Sequence, residues 1–412
     1  MAQKYTYRSE EIPYFKRKAD LNQTCLVVSL PGNGASTFFK QLAFALKDKE
    51  SLPIFIDTNM LTKNSVDDFF DFLFKSLLNE EVYKNQNLEF SKNFSDITQY
   101  FLDTSKDQKQ IIFIIDRFEK ICEQFPKEIF DTIRYVAKNS QRKVMFILGV
   151  DREITDIRSI LELDQFYTLI NESTYYLKPL NENDFEDYSL NLAKEYGLKL
   201  SNENIKQLYI YTGGNLRMLK SFMLHLENNS ENITEEIKNY SADTRITYQA
   251  ERIYNHLNIK LQDVLHKIIS KQNLEIEDNL FYSRLQKMGL ITKEGKILGL
   301  IFENYIKNLF STNSSRITLN EKTGEILQNN VKIDTKLSGN EYKLLKFFLE
   351  NQNQTLSRDD IATAVWDSTT NEGVSEEAID QLISRLREKI EEDKNNPKHI
   401  ITLRGRGYQF FS

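Results

Sequence analysis

Residues 25–42, CLVVSLPGNGASTFFKQL, read as a buried strand, a glycine-bearing turn and an amphipathic helix. The run CLVVSL (25–30) is short, apolar and rich in β-branched residues, as a fully covered strand requires. PGNG then breaks the strand, and a helical pattern starts at once. A turn of this kind points successive backbone N–H groups and a helix N-terminus at one place, a geometry that holds phosphate. Three more apolar runs match the first: LPIFID (52–57), IIFIID (111–116) and VMFILGV (144–150). Between them lie helical stretches such as STFFKQLAFALKDK and VDDFFDFLFKSLLNEEVYK. Buried strands alternating with helices predict an α/β core: a parallel sheet with helices on both faces.

The phosphate-loop pattern is G-x-x-x-x-G-K-[ST]. Aligned on Gly34, the chain offers Ser29 for the first glycine, Ala35 for the lysine and Ser36 for the hydroxyl residue. Gly32, Asn33, Gly34, Ser36 and Thr37 are therefore the loop's candidate nucleotide-binding residues. The lysine is missing, and Lys40 lies too far along the helix to replace it. That lysine contacts the β- and γ-phosphates. Without it, the backbone and Mg²⁺ still offer a weaker cradle for ATP or another nucleotide, and phosphoryl transfer suffers more than binding. IIFIIDRFEKI places Asp116 at the carboxyl end of a buried strand, within reach of Mg²⁺. Ser36 and Asp116 are thus the candidate metal ligands. Glu119 stands three residues on, and reads equally well as a surface acid at a helix start. Asp151 and Arg152 follow the strand 144–150, and Arg217 in TGGNLRMLK opens a helix. Each is either a γ-phosphate sensor or an ordinary ion-pairing residue.

From about residue 176 the strand signals stop, and NENDFEDYSLNLAKEYG and SNENIKQLYIYTGGNLRMLKSFMLHLENN read as capped helices. The expected order is an α/β domain over 1–175, a helical lid over 176–242 and a winged-helix-like linker over 243–310. In the last of these, RLQKMGLITKEGKILG reads as helix, short strand, turn and return strand. STNSSRIT (311–318) is small and polar, a linker, and a separate domain follows over 316–412. The order and spacing over 1–310 resemble the AAA+/STAND class of phosphate-loop ATPases, including origin-recognition-type ATPases. The resemblance implies a nucleotide site with Mg²⁺, although the missing lysine and displaced acid depart from the family's pattern.

The last domain carries LSGNEYKLLKFFLEN, with Ser338 and Glu341 in capping-box spacing, and SRDDIATAVW, with Ser357 and Asp360. A third helix, SEEAIDQLISRLREKIEED, places Ile379, Leu382, Ile383, Leu386 and Ile390 on one stripe. Gln381, Ser384, Arg385 and Arg387 lie off the stripe, where side chains reach base edges and phosphates. The ending, KHIITLRGRGYQFF, reads as a β-wing around Arg404 and Arg406, with Thr402 on its first strand and no acid after Lys398. These four segments closely resemble the OmpR/PhoB-type response-regulator winged helix, across about 316–412. The resemblance implies a recognition helix over 375–390, a wing over 404–408 and an RNA polymerase contact in the loop 367–373. Nothing upstream reads as a receiver domain.

The chain has 412 residues and a formal net charge of −6, so any attraction to DNA has to be local. Four acids, Glu376, Glu377, Asp380 and Glu388, dilute the third helix. Affinity then depends on pairing of protomers, a homo-oligomer, at tandem half-sites. Cys25 and Cys122 are far apart and read as buried reduced thiols, and the four histidines show no zinc spacing. No apolar run approaches the ~20 residues that span a bilayer, so a cytoplasmic protein with no membrane partner is expected. The leading reading is a transcription regulator on double-stranded DNA. An active ATPase and a protein-interaction scaffold are the alternatives.

Overall fold

Apolar residues at every position of 25–28 leave that strand no face for water, and the fold surrounds it. In the computed structural model the sheet order is β2-β3-β4-β1-β5, all parallel. The strands are β1 (Cys25–Val28), β2 (Ser51–Asp57), β3 (Gln110–Asp116), β4 (Val144–Val150) and β5 (Thr174–Tyr176). β1 therefore sits inside the sheet, and all four of its residues are buried. The structure describes residues 7–61, 63, 65–78, 110–140, 144–228, 232–312, 317–319, 325–328, 331–333, 336–352, 354–366, 374–391, 393–403 and 406–411. They fall into two compact units, Met1–Ile306 and Lys307–Ser412.

Side-chain alternation divides the sheet's two faces. Cys25, Val27, Ile112, Ile114, Met145 and Ile147 pack against α1 (Glu11–Asp20) and α2 (Ala35–Leu46) through Phe15, Phe38, Phe39 and Leu42. The intervening residues face the other way, where Phe113 stacks on Phe146 with centroids 5.6 Å apart. Cys25 and Cys122 are both buried free thiols. Two elements go beyond the sequence reading. Helix α1 buries Glu11, Ile12, Phe15 and Ala19, with its other charges left outside. Strand β5 is three half-buried residues and carries no apolar signature.

Helices follow, as the capping residues predict. Asn181 caps Glu182–Glu195, and Ser201 caps Asn202–Thr212 in a capping box with Asn204. Next come Leu216–Asn228, Ile233–Lys238, Thr244–Asn255, Ile259–Ile269, Asp278–Met288 and Leu300–Thr312. The expected ribbon after residue 288 is reduced to one antiparallel bridge, Ile291 to Ile297. No helix among the described residues is long and apolar enough to cross a membrane.

The second unit is a winged helix. Strands Ile317–Leu319, Ile326–Gln328 and Val331–Lys332 form an antiparallel sheet ahead of the helices. Gly339–Glu350 and Arg358–Val365 start at the two capping boxes, Ser338 with Glu341 and Ser357 with Asp360. Glu376–Ile390 is the third helix, capped by Ser375. Ile400–Leu403, Gly407–Phe410 and Thr355–Leu356 form the second sheet. Leu344, Leu345, Phe348, Ile379, Leu382, Ile383 and Leu386 fill the core with Ile400 and Phe410.

Gly149 shows how tightly the first unit packs. A Cβ there would stand 2.3 Å from Phe39 Cε2. Gly149→Ala is expected to lower stability by about 1–3 kcal/mol, the usual range for overpacking. A denaturant titration following the first unit's transition checks this, and an unshifted midpoint would contradict it.

Candidate functional site

The loop between β1 and α2 is shaped from behind by a buried polar network. Gly32 and Gly34 take positive φ, 91° and 80°, which side chains rarely adopt. Space forbids larger residues too. A Cβ on Gly32 would lie 2.5 Å from Asn215 Oδ1, and one on Gly34 would lie 2.6 Å from Leu216 Cδ1. Asn33 is buried: its Nδ2 donates to the Leu177 carbonyl at 3.0 Å, and its Oδ1 accepts from Asn215 Nδ2 at 3.2 Å. The Asn33 carbonyl accepts from the Arg8 guanidinium at 2.5 Å. Its own N–H donates back to Leu30. The Asn33 side chain therefore braces the loop, which corrects its assignment as a nucleotide contact.

In front of the loop lies a cleft of about 320 Å³. Gly32, Gly34, Ser36, Thr37, Asp116 and Arg217 all line it, so one cavity gathers six of the seven sequence candidates. Asp116 closes β3 and accepts a hydrogen bond from Ser36, while burial pushes its carboxyl up. Arg117 beside it has φ +62°, a rare conformation for a side-chain-bearing residue at the mouth of a cleft. Asp116 Oδ2, Glu119 Oε2 and Ser29 Oγ are buried without a hydrogen-bond partner among the described residues. Orphaned oxygens of this kind fit a hydrated divalent cation with a phosphate ligand.

Glu119 is no ordinary surface acid. It lines the cleft, and burial together with Asp151 pushes its pKa up to about 7. Arg152 pairs with Glu123 and Asp151, and Lys40 lies over the Phe55 ring. Both therefore have protein partners. Sequence reading missed three cleft residues, Lys220, Arg252 and His256. They lie on helices whose polar faces look like any solvated surface. His256 pairs with Asp151 at 3.2 Å, and that hydrogen bond raises its pKa.

On the second unit, Gln381, Ser384 and Arg385 are exposed on the third helix, and Arg406 and Thr402 are exposed at the wing. Arg387 is committed elsewhere. Its guanidinium donates to the Ile400 carbonyl at 2.5 Å and to Thr402 Oγ1 at 2.8 Å, and it sits over the Tyr408 ring. This corrects Arg387 from a DNA contact to a brace between helix and wing, with Thr402 its partner. Asp380 is held by Arg358 at 3.0 Å and by the Tyr408 hydroxyl at 2.5 Å. Glu388 pairs with Lys394 at 2.7 Å, and Glu376 reaches Arg358 at 3.5 Å. Three of the four acids that dilute this helix are thus paired. Arg404 and the loop 367–373 lie outside the described residues.

Residues 332–410 match the family described as "Transcriptional regulatory protein, C terminal". The "Probable transcriptional regulator ycf27" of Galdieria sulphuraria is 36% identical over 121 residues, 28% of this chain and 46% of its own length. "Regulatory protein VirG" of Agrobacterium tumefaciens is 42% identical over 77 residues, 19% of this chain and 28% of its own. The chain thus spans less than half the length of these curated relatives. A solved structure, the Walker-type ATPase of Pyrococcus abyssi, aligns over 73% of this chain and 96% of its own, with a TM-score of 0.50 and 14% identity. That likeness is one of fold, a phosphate-loop ATPase architecture; the 332–410 match follows later in the sequence.

Glu119 makes a pH prediction. Its folded pKa, about 7, lies above the ordinary 4.5. Its contribution to stability is whole below about pH 4.5 and is lost as pH rises to about 7. Glu119→Gln should therefore gain thermal stability on the wild type between pH 5 and 7.5. Parallel melting curves across that window would refute the assignment.

Proposed function

We propose that this chain is a DNA-binding transcription regulator, in which a nucleotide-binding module governs a C-terminal winged helix that reads duplex DNA. One observation carries the DNA reading. Gln381, Ser384 and Arg385 form an exposed row on a helix with three of its four acids paired, and Arg406 is exposed at the wing. The family match over 332–410 and the regulators among the relatives support it. In this reading Arg385 and Gln381 meet base edges, and Arg406, with Arg404, meets backbone phosphate. The nucleotide part rests on the glycine turn, the Ser36–Asp116 pair and the orphaned oxygens of the cleft. ATP or another nucleotide with Mg²⁺ is the proposed ligand: Ser36 and Asp116 would hold the metal, and the loop the phosphates. A bound nucleotide also sets how protomers pair on tandem half-sites. A contact of the 367–373 loop with RNA polymerase and a cytoplasmic setting belong to the same reading.

Duplex binding by the full chain tests this. Arg385→Ala should weaken binding to a cognate site by about 1–3 kcal/mol and relax its sequence preference. Arg406→Ala should weaken all duplexes alike and lower the salt slope by about one. A wild-type chain with no salt-dependent duplex binding would sink the reading.

The position of Glu119 favours a second reading, ATP turnover. A buried carboxyl with a pKa of about 7 in the cleft is suited to take a proton from water. Phosphate release by wild type and Glu119→Gln separates the two. Loss of turnover with nucleotide binding intact supports the enzyme, and equal rates exclude it.

A further inference from the structure

The loop has Ala35 where a phosphate-binding lysine belongs, yet the cleft is not short of positive charge. Lys220 lies on Leu216–Asn228, three residues beyond Arg217, and Arg252 lies on Thr244–Asn255. Both line the same cleft as Gly34 and Ser36. Among the described residues, neither side chain has a hydrogen bond or ion pair. Arg252 is half-buried, and an unpaired guanidinium in that setting is uncompensated desolvation. The cleft's carboxylates do not serve them: Asp151 pairs with His256 and Arg152, Asp116 takes a hydrogen bond from Ser36, and Glu119 bonds neither cation. The natural partner for these two cations is an anion that enters the cleft from solvent.

We propose that Lys220 and Arg252 together replace the missing phosphate-loop lysine and supply the positive charge for the β- and γ-phosphates of a bound nucleoside triphosphate. The proposal rests on the nucleotide reading above and names the residues that make it work. It also changes what binding does. A loop lysine would leave the ligand on the sheet's edge alone. Cations on two later helices tie the sheet, the 216–228 helix and the 244–255 helix to one polyphosphate. The ligand then couples a loop that lacks its own charge to helices that begin at Leu216 and Thr244.

Calorimetric titration of the full chain with MgATP and MgADP tests it. The neutral double variant Lys220→Gln/Arg252→Gln should lose about tenfold or more in MgATP affinity, with a smaller loss for MgADP. The charge-keeping double Lys220→Arg/Arg252→Lys should stay within about threefold of wild type. Adding Ala35→Lys to the neutral double should recover most of the loss. The proposal is overturned if the neutral double binds as wild type does, if both doubles lose equally, or if the restored lysine recovers nothing. A wild-type chain that fails to bind MgATP overturns the nucleotide reading as well. Wild-type binding with an indifferent neutral double overturns this proposal alone.

Discussion

The arrangement of the first unit depends on one buried polar exchange behind the phosphate loop. Asn33 and Asn215 bond each other, Asn33 reaches Leu177, Asn215 reaches the Pro31 carbonyl at 3.2 Å, and Arg8 holds the Asn33 carbonyl. Arg8 is 1% exposed, with Glu11 as its ion-pair partner at 3.0 Å and the Lys178 carbonyl at 2.7 Å. Buried polar groups are tolerable only when they are bonded, and removing one partner strands the rest. Arg8, the end of β5 and the beginning of the 216–228 helix are thereby fixed to one turn. The loop is not a free-standing motif. Its shape is a property of the whole unit.

The second unit solves a different problem with similar means. Its third helix carries four acids, and the fold pairs three of them. Arg358 and Tyr408 take Asp380, and burial with that hydrogen bond pushes the Tyr408 hydroxyl up to about 12. Arg387 spans from the helix to the wing strand. Side chains that look like a charged face in the sequence are in part internal fastenings. Among the described residues of that helix and the wing, Arg385 and Arg406 are left exposed, fewer cations than composition implies.

Fold was legible wherever one residue pattern decided it alone. Four runs of buried strand, the glycine turn and the capping boxes at Ser338 and Ser357 needed no partner to be recognised. Elements defined by their neighbours were not legible. Thr174–Tyr176 is a strand because β1 offers an edge, and Glu11–Asp20 is a helix that buries Ile12, Phe15 and Ala19 with Glu11 among mostly charged neighbours. The site followed the same division. Ser36, Asp116 and Arg217 stand in recognisable spacing, whereas Lys220, Arg252 and His256 reach the cleft only through tertiary packing. Asn33 and Arg387 erred in the opposite direction. Their residue types suit a ligand, but their hydrogen bonds are spent inside the protein.

The brace from Arg387 to Ile400 and Thr402 also bears on how this domain meets a partner in time. The helix and the wing strands are joined by charge-assisted hydrogen bonds and by a shared tyrosine ring, so this described part of the surface is set before contact. A surface that arrives already set loses little entropy on docking, and its rate of capture is governed by encounter and ionic strength. On the proposed DNA reading, lifetime on a site then falls to the few exposed side chains, and sequence discrimination becomes a matter of how slowly the protein leaves.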